Sequence, residues 1–301
     1  MACSALEHVP VLAETLMRWI DLPPDGVMVD ATVGQGGHSR LIGTRLGPQG
    51  VLIGLDVDEQ AIRAARDRLQ DLACKVILIR GNFAEIADWT RRNGIKGIDL
   101  ILADLGFSSV QVAEPDMGLS FQSDMPLDMR MDRSLGTTAA DIVNSADERA
   151  LADLIFRYGE ERASRRIARF IVQRRRRGPI TTTGELAAVV CQALRRPGSA
   201  RRRRIHPATR TFQALRIAVN HELDNLGQLL EQAPDLLRSR GQVAVISFHS
   251  LEDRLVKESF KENRQRGVYQ ILTRKPVRAA EQEVAANPRA RSAKLRIAQK
   301  T

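Results

Sequence analysis

Three carboxylates and one glycine-rich turn are the residues best placed to do chemistry. The turn, "DATVGQGGHS" (30–39), directly follows the apolar run Val27-Met28-Val29. Asp56 closes the next apolar run, 22 positions after Gly34, and Asp104 closes a later one in "ADLG" (103–106). A dinucleotide fingerprint G-x-G-x-x-G/A fails here because its third glycine position falls on Ser39, and a Walker loop fails for want of Gly-Lys-Ser/Thr. An acid about 20 residues beyond the first glycine is placed to accept hydrogen bonds from ribose hydroxyls. Asp30, Asp56 and Asp104 are expected around one cleft, with no lysine or arginine among them. Such a set repels phosphate and suits a neutral adenosine carrying a positive group, which describes S-adenosylmethionine. Phe83, at the end of "KVILIRGNF" (75–83), fits either a purine face or ordinary core. A tight turn with no ligand is the competing reading of the glycines.

The elements that must position these groups are short apolar runs: 27–30, 51–58, 75–83 and 98–106, then 241–248 after a long interval. Polar, helix-compatible stretches such as "EQAIRAARDRLQDL" (59–72) lie between them. Continuous apolar runs alternating with helices predict a parallel sheet covered on both faces. Residues 269–275 and 294–299 are candidates to complete a sheet of five to seven strands. Pleat alternation along 51–58 predicts Asp56 and Asp58 on one face. Residues 113–205 contain no comparable strand and read as helices at 146–159, 162–177 and 183–196. In the second of these, Ile167, Phe170 and Ile171 share one face while arginines fill the others. The expected fold is α/β, a Rossmann-like class I methyltransferase sheet (1–112 and 206–301) with an inserted all-helical, Arg-rich substrate domain (113–205).

Composition narrows the partners. The net charge is +10, yet Arg157 to Arg216 holds 17 Arg, no Lys and three Glu, so the remainder of the chain is slightly acidic. Arginine suits bidentate phosphate contacts. Two runs of four are candidate RNA grips: Arg174 to Arg177, and Arg201, Arg202, Arg203 and Arg204. A solvated charged face is the plain alternative. Aromatics make up only 4% of the chain, which favours recognition of shape and phosphate over base stacking. Cys3, Cys74 and Cys191 lie far apart in no metal-ligand spacing. They point to a reducing, cytoplasmic setting without disulfides or structural zinc. No obligatory metal is expected. No run approaches the ~20 apolar residues of a membrane span, and the first residues read as no signal peptide.

Longer strings carry a more specific resemblance: "HVPVL" (8–12), "DATVGQGGHSRLI" (30–42), "LDMRMD" (127–132), "YGEERASRRIA" (158–168), "HPATRTFQALRIAVNHEL" (206–223), "ISFHSLEDRLVK" (246–257) and "NPRARSAKLRIA" (287–298). The chain resembles the bacterial small-subunit rRNA cytosine-N4 methyltransferases, the RsmH or MraW family, nearly end to end. Phe107 stands where a smaller residue is common in that family, and Val112 also departs from its pattern. The resemblance implies S-adenosylmethionine contacts at Gly36, Gly37, His38, Asp56, Phe83, Asp104 and Gln111. The implied substrate is a cytosine in the decoding centre of 16S rRNA, presented within an assembled small ribosomal subunit.

Two roles compete at Asp104. It either accepts an N4–H bond and orients the amine towards the methyl group, or it binds the cofactor alone. His206 and His249 are candidate substrate contacts or satisfied structural histidines; His221 reads as structural. A DNA exocyclic-amine methyltransferase and an inactive RNA-binding assembly factor are the alternative functions.

Overall fold

The seven apolar runs form one sheet in the order β3-β2-β1-β4-β5-β7-β6. The strands are β1 (Val27–Asp30), β2 (Val51–Asp56), β3 (Lys75–Arg80), β4 (Ile98–Asp104), β5 (Leu237–Ser247), β6 (Tyr269–Ile271) and β7 (Lys294–Lys300). The computed structural model describes residues 10–107, 111, 114, 116–194 and 206–301. The first five strands pair in parallel, while β7 runs antiparallel to both β5 and β6. Both faces of the sheet are covered, so the middles of the central strands are continuously apolar. Leu52, Leu100, Leu102, Ala244 and Ile297 face one layer, where Leu16, Ile42 and Leu69 pack. Ile53, Ile101, Ala103 and Val243 face the other, with Leu229, Leu230 and Phe260.

Strand ends differ from the sequence expectation, and each difference has a local cause. β2 stops at Asp56. Asp58 instead caps the helix Glu59–Leu69, its carboxylate accepting the Gln60 N–H, so Asp56 and Asp58 do not share a strand face. β3 stops at Arg80, and Asn82 caps a single 3-10 turn, Phe83–Glu85, through the Ala84 N–H. β4 ends at Asp104 rather than Gly106. β5 starts four residues before Gly241, across a register shift opposite Ile98 and Leu100. β6 is confined to three residues.

The chain divides into two compact units, Met1–Gly106 with Leu223–Thr301, and Phe107–Glu222. These limits differ from the expected 113–205 because the helix Thr209–Asn220 packs inside the second unit. Its Phe212, Leu215 and Val219 join Leu151, Ile155, Ile167, Ile171, Leu186 and Val190 in a separate core. Helices Ala139–Ser145, Glu148–Gly159, Ser164–Arg175 and Thr183–Leu194 make up the rest. Thr138 with Asp141 forms a capping box and Asp147 caps the next helix, fixing where each begins. Ile167 and Ile171 are fully buried and Phe170 half-buried, so the predicted stripe faces the core. Among the described residues, no helix is long and apolar enough to cross a membrane.

Candidate active site

Strand order reverses beside β1, whose neighbours are β2 and β4, and the "DATVGQGGHS" turn leaves the sheet there. This is the switch point at which open α/β sheets bind ligands. Three hydrogen bonds suspend the turn between the two neighbouring strands. The Ala31 N–H donates to the Leu102 carbonyl at 2.8 Å, and the Val33 N–H to the Leu55 carbonyl at 2.8 Å. The third runs from the Asp104 N–H to Thr32 Oγ1 at 2.7 Å. Gly54 lets the turn lie close over β2, since a Cβ there would stand 2.8 Å from Val33 Cγ2. Gly36 takes the left-handed conformation, φ 79°, as it starts the helix Gly37–Gly43. A side chain at Gly36 would be strained and would meet Leu69 Cγ at 3.3 Å.

The three acids have distinct surroundings. Asp30 is buried and accepts from Ser39 Oγ at 2.7 Å and from the Thr32 N–H at 3.1 Å, so it braces the turn. Asp56 accepts the Gly34 N–H and the Asp58 N–H, each at 2.9 Å. Burial outweighs both amides and pushes its carboxyl up to about 6. Asp104 has one buried oxygen, Oδ1, with no hydrogen-bond partner among the described residues. Its carboxyl is pushed up to about 7 by burial first and by the charge of Glu252 second. The acids also repel one another: Asp104 raises Asp30, and Asp30 raises Asp56. Two basic side chains of the adjoining elements turn elsewhere. Arg40 pairs with Asp71, and Arg80, in register with Asp56, reaches the Val57 carbonyl and Glu59.

This donor set fits S-adenosylmethionine. Asp56 keeps lone pairs for ribose hydroxyls, clustered carboxylates favour a sulfonium and oppose phosphate, and Asp104 Oδ1 requires a donor. Phe83 is half-buried in the 3-10 turn that follows β3, packed against the core of that face, consistent with either of its two readings.

His38 is 6% exposed and both ring nitrogens face protein atoms. Nε2 lies 2.8 Å from the Val11 carbonyl and Nδ1 3.4 Å from Asp104 Oδ2. His249 ends the turn after β5 and caps the helix Ser250–Gln265. Its Nδ1 accepts the Glu252 N–H, while Glu252 accepts from the Phe248 and His249 N–H groups. Its Nε2 lies 3.2 Å from Glu252 Oε1 without the alignment of a hydrogen bond.

In the second unit, Gln111 is buried. His206 is exposed, stacks on Phe121 with ring centres 4.6 Å apart, and accepts the Ala208 N–H. Four of the expected RNA contacts, Arg201, Arg202, Arg203 and Arg204, lie outside the described residues. The run 174–177 divides. Arg174 bonds the Gly178 carbonyl and Glu185, and Arg175 bonds the Val143 carbonyl, whereas Arg176 and Arg177 are exposed. Thr32, Ser39 and Glu252 are site residues that the motifs do not single out. Thr32 and Ser39 sit inside the glycine turn, but nothing local reveals their partners on β4 and β1.

A parallel sheet with an antiparallel last strand, a phosphate-excluding glycine turn at its switch point and an acid ending β2 define a class I, S-adenosylmethionine-dependent methyltransferase. The chain belongs to the MraW methylase family, whose pattern it matches over residues 5–301. It is 50% identical over 300 residues to the ribosomal RNA small subunit methyltransferase H of Acidobacterium capsulatum, covering 97% of this chain and 98% of that one. It is 43% identical over 315 residues to the protein of that name from Brevibacillus brevis, covering all of both chains. Among solved structures, a putative rRNA-methylase from Clostridium thermocellum superposes with a TM-score of 0.46 at 14% identity, over 97% of this chain and 99% of that one.

Proposed function

We propose that the chain methylates the exocyclic N4 of a cytosine in the decoding centre of 16S rRNA, within the assembled small subunit. The observation that carries the chemistry is Asp104 Oδ1, a buried acceptor at the end of β4 without a partner among the described residues. The relatives' names, small subunit methyltransferase H, support the choice of RNA.

Bound at Gly36, Gly37, Asp56 and Phe83, S-adenosylmethionine supplies an electrophilic methyl group on a positively charged sulfur. The cytosine amine is a weak nucleophile because its lone pair is delocalised into the ring. An acceptor on one amine hydrogen turns that lone pair towards the methyl carbon and stabilises the positive charge that develops on nitrogen. Asp104 Oδ1 is the group for that role. A base in the decoding region must be unpaired or turned out to reach it.

The arginines of the insert hold the phosphates. Arg176 and Arg177, exposed on the described chain, supply part of the charge. Arg201, Arg202, Arg203 and Arg204 supply the rest, and His206 lies next to them in sequence. His249 serves the site through its capping of the helix Ser250–Gln265 and is a second substrate contact. Phosphate neutralisation makes RNA affinity fall steeply with salt.

Methyl transfer to isolated small subunits, naked 16S rRNA and duplex DNA, with the modified nucleoside identified by mass, tests the reading. The expected product is N4-methylcytidine from small subunits. Transfer to DNA, or a different methylated base, overturns it. Absence of both transfer and cofactor binding points instead to an RNA-binding assembly factor.

A further inference from the structure

The His38 ring is held in one orientation. A carbonyl oxygen only accepts, so Nε2, 2.8 Å from the Val11 oxygen, carries the hydrogen. Nδ1 is then a bare lone pair in the neutral ring, 3.4 Å from Asp104 Oδ2. Two acceptors facing one another without a proton repel, and a single proton between them bonds both. The Asp104 backbone is tied through its N–H to Thr32 Oγ1, and the second carboxyl oxygen, Oδ1, is buried with no partner among the described residues.

We infer that His38 acts through Asp104, sharing with its Oδ2 the proton that the methylated amine releases, while Oδ1 holds the substrate amine. The inference rests on the amine-methylating function proposed above. His38 is thereby a positioning residue, beyond the cofactor contact that the family resemblance implies. The step balances. The amine lone pair forms the N–C bond, the methyl–sulfur bond breaks with its electron pair kept by sulfur, and the sulfur loses its positive charge. One amine proton passes to Asp104 Oδ1, where the amine is held; after the product leaves, exchange with water moves it to Oδ2, where it lies towards Nδ1, the Asp104 side chain being 25% exposed.

The charged groups around the pair come from three elements. Asp30 at the end of β1 and Glu283 of the helix Glu281–Ala286 act on His38, and Glu252 of the helix Ser250–Gln265 acts on Asp104. All three are acids and favour a proton on the pair. Burial opposes an imidazolium at His38 and raises Asp104, so the proton resides on the carboxyl side. The working base is the unprotonated pair, and turnover rises with pH as the pair loses its proton.

The test uses His38→Gln, which keeps an N–H for the Val11 carbonyl but no acceptor at the Nδ1 position, and His38→Asn, which puts an amide at the Nδ1 position. At saturating cofactor, His38→Gln is expected to lower kcat about tenfold or more and to displace the acid limb of the pH profile. Because His38 also adjoins the cofactor turn, the deciding readout is the split: the fall in kcat at saturating cofactor is expected to exceed any loss of S-adenosylmethionine affinity. His38→Asn, donating to Oδ2 and stabilising the carboxylate, is expected to move the limb to lower pH without restoring kcat. Weakened cofactor binding with kcat and the pH limb unchanged at saturation would overturn the inference. Nitrogen-15 NMR of the native protein serves even if both variants fail to fold. The expected signal is a neutral His38 protonated on Nε2 whose titration changes in Asp104→Asn; a ring protonated on Nδ1, or an unchanged titration, overturns the inference. Those spectra decide the pair independently of transfer, whereas a native protein that methylates no small subunit overturns the substrate reading.

Discussion

The Asp56 carboxylate accepts the backbone N–H of Gly34 at 2.9 Å, tying the end of β2 to the first glycine of the turn. One side chain thus shapes the loop and, in the proposed function, is the ribose acceptor. Asp56→Ala is expected to weaken S-adenosylmethionine binding by about 10- to 100-fold, the range for losing a charge-assisted hydrogen bond. Hydroxyl donors favour the ionised form, and this carboxyl sits at about 6. Native affinity is therefore expected to fall as pH drops below that value. Calorimetric titration at several pH values reads both outcomes.

Thr32 Oγ1 is the acceptor for the Asp104 N–H. Thr32→Val keeps the shape and strands that donor, at a cost of about 1–3 kcal/mol. Because the bond orients Asp104, kcat is expected to fall more than cofactor affinity. Equal losses in both would assign Thr32 to the turn alone.

Gly36→Ala places a Cβ on a left-handed residue, costing about 1–2 kcal/mol, against Leu69 Cγ at 3.3 Å. A lowered melting temperature and weaker cofactor binding are expected together, since the same backbone forms the turn.

Asp104 carries a charge that the fold disfavours. A raised carboxyl destabilises the folded state progressively as pH climbs from its unfolded value near 3.8 to about 7, and the penalty is constant above that. Asp104→Asn removes it. The cofactor-free variant is expected to gain stability over the native protein, the difference widening across that window to on the order of 2–4 kcal/mol. Urea denaturation at pH 5 and pH 8 measures it, and methyl transfer is expected to fall in the same variant.

The arginine run separates into two kinds. Arg174→Ala loses the Glu185 and Gly178 bonds and is expected to destabilise the second unit by about 1 kcal/mol. Reversing the exposed Arg176 and Arg177 to Glu is expected to leave unfolding unchanged. RNA affinity should fall, and its salt slope should become shallower by about 0.7–0.9 for each phosphate no longer neutralised. An unchanged slope would put the grip on other arginines.

The sheet was legible because its signal is local. Stretches such as Val27–Val29 and Leu100–Ala103 are continuously apolar because both faces are covered, and that pattern is visible in one dimension. The glycine turn and the acid after β2 were legible for a similar reason, as their spacing follows from one strand–helix–strand unit. Asp58 was misplaced because strand periodicity and a helix N-cap compete within two residues, and the cap prevailed. The insert's limits shifted because the apolar stripe of Thr209–Asn220 does not say which core it joins.

By itself, the sequence determined the strand–helix alternation, the exclusion of phosphate from the turn and the concentration of arginine in one segment. These depend on residue type and short-range spacing. Only the tertiary structure decided that Thr32 holds Asp104 across 72 residues, that His38 turns one nitrogen to Val11 and the other to Asp104, and that Arg174 and Arg175 are already paired. Those partners meet through packing of distant strands and helices. Hydrogen-bond geometry and burial exist only once that packing is complete.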